Sequence, residues 1–283
     1  MAVSAAELMA YDVPPAHQTV TAKDAILYAL SVGYATNPSE PSHLAALYER
    51  GLQPVPTLAN VIAHPGPWMK ATGVDWSKLV HAEHRLVLHR DIPIDAPLES
   101  KTRMLGVADR GPGKGMFASF ERVLYDRSSG APVATIVQTN ACRGDGGCGS
   151  AGTPPEPLPR VPDRTPDRTL DLQIPLSAAV LYRLNGDLNP LHIDPAAAAA
   201  GGFSRPILHG LCTFGHAGYA ITRLTSADDM TRLRALSARF TAPFLPGETL
   251  RTEIWETASR IQFRCRAVER DVIVLDGGTA SIR

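Results

Sequence analysis

Asp187, Asn189 and His192 fall within six residues of one another, in Gly186-Asp187-Leu188-Asn189-Pro190-Leu191-His192-Ile193-Asp194-Pro195. A carboxylate and an imidazole on one short segment can hold a water between them and exchange a proton with it. Such a pair is suited to general acid–base work. Pro190 pushes Asn189 out of the helical region, and Gly186 and Pro195 bracket the stretch, so it reads as a loop. The plainer alternative is that Asp187 or Asn189 caps a helix and His192 lies on the surface. A second segment weighs against it. In Pro206-Ile207-Leu208-His209-Gly210-Leu211-Cys212, Gly210 stands near the start of a stretch that reads as a buried helix. A backbone N–H there, in the positive field of the helix end, suits a carbonyl oxygen gaining negative charge.

The elements that must position these residues follow from the hydrophobic period. Ile207 to Leu224 is apolar on nearly all sides and rich in small residues, which predicts a helix buried all round. Residues 176–185 carry a short helical pattern before the loop. Beyond the long helix the period becomes two: Ile261, Phe263, Cys265 and Ala267 face one way, Gln262, Arg264 and Arg266 the other. Leu250/Thr252/Ile254 and Val272–Leu275 predict flanking strands, with Pro246-Gly247-Glu248 as a turn. In the first half, Val55–Met69 takes the place of the buried helix, and strands are expected near 81–91, 98–109, 115–126 and 132–142.

The halves are related. Ala25-Ile26-Leu27-Tyr28-Ala29-Leu30-Ser31 aligns with Ala179-Val180-Leu181-Tyr182-Arg183-Leu184-Asn185 at an offset of 154, with four of seven positions identical, which points to an internal duplication. Between them, residues 150–171 hold six prolines and no apolar period, the composition of an extended connector. The boundaries are therefore 1–149, a linker at 150–171, and 172–283. Helices followed by antiparallel strands make an α+β fold, not βαβ.

Composition removes several function classes. The 283 residues are 44% hydrophobic and 20% charged, which excludes a disordered chain. Net charge is zero, so no electrostatic footprint for nucleic acid or an anionic membrane is present. The uncharged run Pro206–Thr222 contains a Pro, three Gly and two His, and so is no membrane span. No signal peptide is read at the start, and Ser281-Ile282-Arg283 is not a Ser-Lys-Leu-type peroxisomal address. Cys142, Cys148, Cys212 and Cys265 form no C-x-x-C pair, and reduced thiols in a cytoplasm are the economical reading. The glycine-rich run 143–149 lacks the G-K-[ST] of a phosphate loop and ends the first half. His81, His84 and His89 fall on an alternating strand that sends 81 and 84 to opposite faces, so no metal is expected.

The two motifs together, Gly-Asp-x-Asn-Pro-Leu-His-x-Asp-Pro and Pro-Ile-Leu-His-Gly-Leu-Cys-Thr, resemble those of the MaoC-like, (R)-specific enoyl-CoA hydratases, which include the hydratase 2 domain of peroxisomal multifunctional enzymes. The resemblance extends over Asp24–Gly33, the glycine-rich run, Ala238-Arg239-Phe240 and Phe244–Leu250. It implies a double hot-dog fold, two curved antiparallel sheets each wrapped around a long helix, in which only the second half keeps the catalytic motif. It implies that Asp187 and His192 activate water for a trans-2-enoyl thioester, that Asn189 orients them, and that the Gly210 amide holds the enolate oxygen. It also places His81, Phe240, Leu188, Pro190 and Leu191 along the acyl-CoA and Arg110 at the coenzyme A phosphates. Here Arg110 stands for the family's usual Lys, and Ala82 for a usual Gly. No cofactor beyond the coenzyme A of the substrate, no metal, and a homodimer are implied. A dehydratase acting on acyl carrier protein, a hot-dog thioesterase and a non-catalytic acyl-CoA-binding module are the competing functions.

Overall fold

The computed structural model describes residues 3–34, 37, 39–257 and 260–283. The first half contributes α1 (Ala5–Met9), β1 (Val13–Thr19), α2 (Ala22–Ser31), α3 (Pro41–Leu47), β2 (Leu79–Leu88), β3 (Pro97–Asp109), β4 (Met116–Asp126), β5 (Pro132–Cys142) and β6 (Ala151–Gly152). The second half contributes β7 (Arg168–Gln173), α4 (Ala178–Tyr182), α5 (Pro195–Ala200), α6 (Gly210–Thr225), β8 (Leu233–Phe240), β9 (Thr249–Glu256), β10 (Ile261–Ala267) and β11 (Val272–Ile282).

The α+β double hot-dog arrangement is present, with two departures from the expected form. The strands make one continuous antiparallel sheet, in the order β1-β3-β4-β5-β2-β8-β11-β10-β9-β7 with β6 at the side of β3. The halves join where β2 pairs with β8, Leu86 opposite Leu236. The second departure is the missing helix of the first half. Val55–Met69 forms a 3₁₀ turn at Pro56–Asn60, then irregular backbone, and enters a second 3₁₀ turn at Trp68. Its apolar residues Val55, Leu58, Ala59 and Ile62 are buried as the pattern requires. Pro54, Pro56, Pro65 and Pro67 deny it the donors of a continuous helix, and Ala63 turns the chain at φ 45°.

Irregular backbone inside a core needs partners for its carbonyls. Arg122 on β4, 3% exposed, supplies them: its guanidinium donates to the carbonyls of Ile62 (2.6 Å), Asn60 (2.7 Å) and Ala59 (3.3 Å). The Ser100 hydroxyl donates to the Ala63 carbonyl at 2.5 Å. Burial lowers the Arg122 guanidinium to about 10, so it stays charged.

Helix α6 is buried at every residue from Cys212 to Thr222. Gly215 makes this possible, because a Cβ there would sit 2.5 Å from Val32 Cγ1, beside α2. Helices α2 and α4, the duplicated segments, pack on each other. Tyr28 meets Tyr182 with centroids 6.0 Å apart, and the Asn185 amide donates to Ser31 Oγ at 3.2 Å. Both pairs are related by the 154-residue offset, as expected where equivalent residues meet on a pseudo-two-fold axis. The connector ends earlier than its composition suggests, since residues 168–171 already belong to β7. Before that it lies across the sheet, with Arg164 and Arg160 carbonyls accepting from Trp255 Nε1 and Gln262 Nε2. No helix among the described residues is long and apolar enough to cross a membrane.

Replacing Arg122 with Met keeps bulk but strips three buried carbonyls of their donor. Urea unfolding should show a loss of about 2–4 kcal/mol. An unchanged midpoint and slope would contradict this account of the segment.

Candidate active site

The loop that follows α4 is shaped by its own polar side chains. A 3₁₀ turn at Arg183–Asn185 is ended by Gly186 at φ 113°, which frees the chain to reverse. The Asn189 N–H donates to Asp187 Oδ1 at 3.2 Å, and the Leu191 N–H donates to Asn189 Oδ1 at 3.1 Å. Asn189 thereby caps the short turn Pro190–His192, and Asp194 caps α5. The capping alternative is thus right for Asn189. It fails for His192, which is buried rather than on the surface, while Asp187 stays exposed.

His192 Nδ1–H donates to the Ile207 carbonyl at 2.9 Å. A carbonyl can only accept, so the proton of the neutral ring is on Nδ1 and Nε2 carries a lone pair. One residue that the sequence reasoning left without a role joins them. His209, 1% exposed, lies on the His192 ring with centroids 3.7 Å apart and planes at 28°. Its Nε2–H donates to the main-chain carbonyl of Asp187 at 3.1 Å. Its signal was its place directly before Gly210 in the second motif.

Ligand-type atoms of Asp187, His192 and His209 all lie within 4.8 Å of one another. A carboxylate and an imidazole within that distance can be bridged by a single water. Two histidines and a carboxylate are also a donor set that binds divalent metals. Here the two rings are stacked, and each has one nitrogen on a main-chain carbonyl.

The opposite wall comes from the sheet. Gly210 is the first residue of α6, where N–H groups have no acceptor within the helix. A Cβ at Gly210 would stand 3.0 Å from Phe240 Cε1, so glycine lets the ring lie against the helix start. Phe240 touches His81, centroids 4.6 Å apart. The expectation that His81 and His84 face opposite ways is overturned. The β2–β5 register shifts between His81 and Glu83, and this bulge at Ala82 puts both rings on one side, with His81 Nε2 and His84 Nδ1 3.3 Å apart. His84 Nε2 donates in turn to Asn60 Oδ1 at 2.9 Å, on the segment that Arg122 holds.

Leu188 and Pro190 are exposed at the rim and Leu191 is half-buried. Arg110 stands apart on the exposed β3–β4 turn, its guanidinium 5.6 Å from the Phe117 ring centroid. That turn is braced by Asp109, whose carboxylate accepts from the N–H groups of Gly111, Gly147 and Gly149, each at 2.9 Å. The glycine-rich run therefore packs against the Arg110 turn.

Burial keeps the histidines here neutral. It pushes His81 down to about 3 and His209 to about 4, the latter helped by the neighbouring His192. It lowers His192 and, much further, His84. His216 inside α6 is also pushed down to about 4. The Asp187 carboxylate opposes this at His81, His192 and His209. Well above pH 6.5 these rings are neutral folded or unfolded. As pH falls through 6.5, the unfolded chain binds protons that the folded one refuses, so stability drops progressively down to about pH 3. Melting temperature should be nearly flat from pH 8 to about 7.5 and fall with growing slope as pH drops through 6.5. A melting temperature that rises on acidification through this window would refute the buried neutral state.

Residues 18–144 match the MFE-2 hydratase 2 N-terminal domain and residues 158–277 the MaoC like domain. The chain is 37% identical to the 3-hydroxyacyl-thioester dehydratase Y of Mycobacterium tuberculosis, over 91% of each chain. It is 33% identical to the peroxisomal enoyl-CoA hydratase 2 of Arabidopsis thaliana, over 95% of this chain and 93% of the relative. A MaoC-like dehydratase from Phytophthora capsici superposes with a TM-score of 0.87 at 26% identity, covering 99% of both chains.

Proposed function

The chain belongs to the MaoC-like hydratase 2 family, and on that footing we propose that it reversibly hydrates trans-2-enoyl-CoA to (3R)-3-hydroxyacyl-CoA. The observation that carries the reading is the approach of the Asp187 carboxylate and the His192 imidazole to within 4.8 Å of one another, at the foot of α6. A water donating one O–H to Asp187 and the other to the bare Nε2 of His192 turns its lone pair toward the β-carbon of a bound thioester. The new O–Cβ bond forms as a water proton passes to the pair. The π electrons move toward the thioester carbonyl, whose oxygen takes the Gly210 N–H. The pair then returns a proton to the α-carbon from the same face. Run backward, the same steps dehydrate a 3-hydroxyacyl thioester.

In this reading Asn189 shapes the loop so that Asp187 and His192 share one water. His81 and Phe240 flank the reacting thioester, while Leu188, Pro190 and Leu191 border the acyl group. Arg110 meets the phosphates of coenzyme A. The 3R configuration is carried over from the family resemblance, as is the homodimer. In this reading the Asp187–His192 pair activates the water without a metal.

Loss of the enoyl-thioester absorbance, with chiral analysis of the product, tests the function. Asp187→Asn and His192→Gln should each reduce hydration by about 10²–10⁴-fold, with melting temperatures little changed. The double variant should be little worse than either single one, since the two act on one water. Multiplicative losses would break the shared-water mechanism, and free thiol release would indicate a thioesterase. Arg110→Ala should raise KM for coenzyme A esters with little change in kcat, and should leave truncated pantetheine thioesters unaffected. Activity should survive exhaustive chelation.

A further inference from the structure

We infer that His209 is a positioning residue of the active site, the joint that fixes Asp187 and His192 relative to the start of α6. The inference rests on the proposed hydration, and three contacts carry it. His209 Nε2–H donates to the main-chain carbonyl of Asp187 at 3.1 Å, tying the loop to the helix. Its ring lies flat on His192 at 3.7 Å, with Tyr182 against it at 5.0 Å and an interplanar angle of 47°. Its own carbonyl accepts from the Cys212 and Thr213 N–H groups at 3.0 and 3.1 Å, so it is the N-cap of the helix whose first N–H belongs to Gly210.

The chemistry of the partners fixes the protonation of the joint. The Asp187 carbonyl is an acceptor only, so the proton of neutral His209 is on Nε2 and Nδ1 is bare. Nδ1 is buried and has no hydrogen-bond partner among the described residues. The groups around the ring are His192, the Asp187 carboxylate, Arg183 and Tyr182. His209 touches no reacting atom in this arrangement. It sets the distance from carboxylate to imidazole to oxyanion donor, a geometry in which a displacement of about 1 Å can reduce a rate about 10²-fold.

Two substitutions separate this role from ordinary packing. His209→Phe keeps an aromatic ring on His192 but removes the donor to Asp187. His209→Gln keeps a side-chain N–H for that carbonyl. With both variants folded by circular dichroism, His209→Phe should lower kcat by about 10–100-fold with KM for an enoyl-CoA within about twofold. His209→Gln should recover kcat to within about threefold of the parent. Wild-type kcat in His209→Phe would overturn the inference. So would losses in both variants that follow only their melting temperatures. A long-range ¹H–¹⁵N spectrum of histidine-labelled protein provides a readout independent of any substrate. It should show His209 protonated at Nε2 and His192 at Nδ1, and a proton on His209 Nδ1 alone would overturn the joint. The expected tautomers in a parent protein that hydrates no enoyl-CoA would count against the proposed function and leave the geometry standing.

Discussion

A helix buried on every side can present polar chemistry only at its ends, and α6 is such a helix. Its side chains serve the core, including Cys212 and His216, whose thiol and imidazole are held neutral by burial. Its N-terminus is different. There the unsatisfied N–H groups begin at Gly210, the capping residue is a histidine, and the loop from α4 folds back over both. The site is where the interior of the fold runs out of apolar partners, and its electrostatics follow from that position. Imidazoles kept neutral by burial face one exposed carboxylate, and the first turn of a helix lies beneath.

The two halves divide the work unequally. The second keeps the long helix and the loop. The first replaces its helix with a proline-rich segment and holds it by a buried guanidinium that donates to main-chain carbonyls. That exchange reaches the site. Asn60 on this segment accepts from His84, which contacts His81, which packs on Phe240, and Phe240 leans on Gly210. The wall opposite the Asp187–His192 loop is therefore tied to the segment that Arg122 holds. Equivalent residues of the halves still meet at Tyr28–Tyr182 and Ser31–Asn185, so the duplication persists in packing after one copy of the motif is gone.

Much of this was legible in the sequence, for stated physical reasons. Strands β3, β4 and β5 fell within a residue of their expected ends because buried and solvent faces alternate along them. The α6 stretch was recognisable from its small and apolar residues, although the helix begins at Gly210 and not at Ile207. β1 and β7 escaped notice because they are edge strands with one face barely buried, which leaves little period to read. The first-half helix was expected because apolar content reports burial, and burial is there. The prolines decide the backbone, and the compensating arginine lies about sixty residues away on β4. The joining of His81 with His84 depends on a one-residue bulge, which no alternation rule encodes. Asp187, His192 and Gly210 stood out by residue type and spacing. His209 did not, since a capping position carries no chemical signature until its partner is known.

The central claim is that one water, held between Asp187 and His192, supplies both the oxygen and the face from which the proton arrives. Hydration of a trans-2-enoyl-CoA in deuterium oxide, with the configuration at both carbons determined, tests it directly. A shared water demands that deuterium and hydroxyl add to the same face of the double bond. Addition to opposite faces would contradict the account.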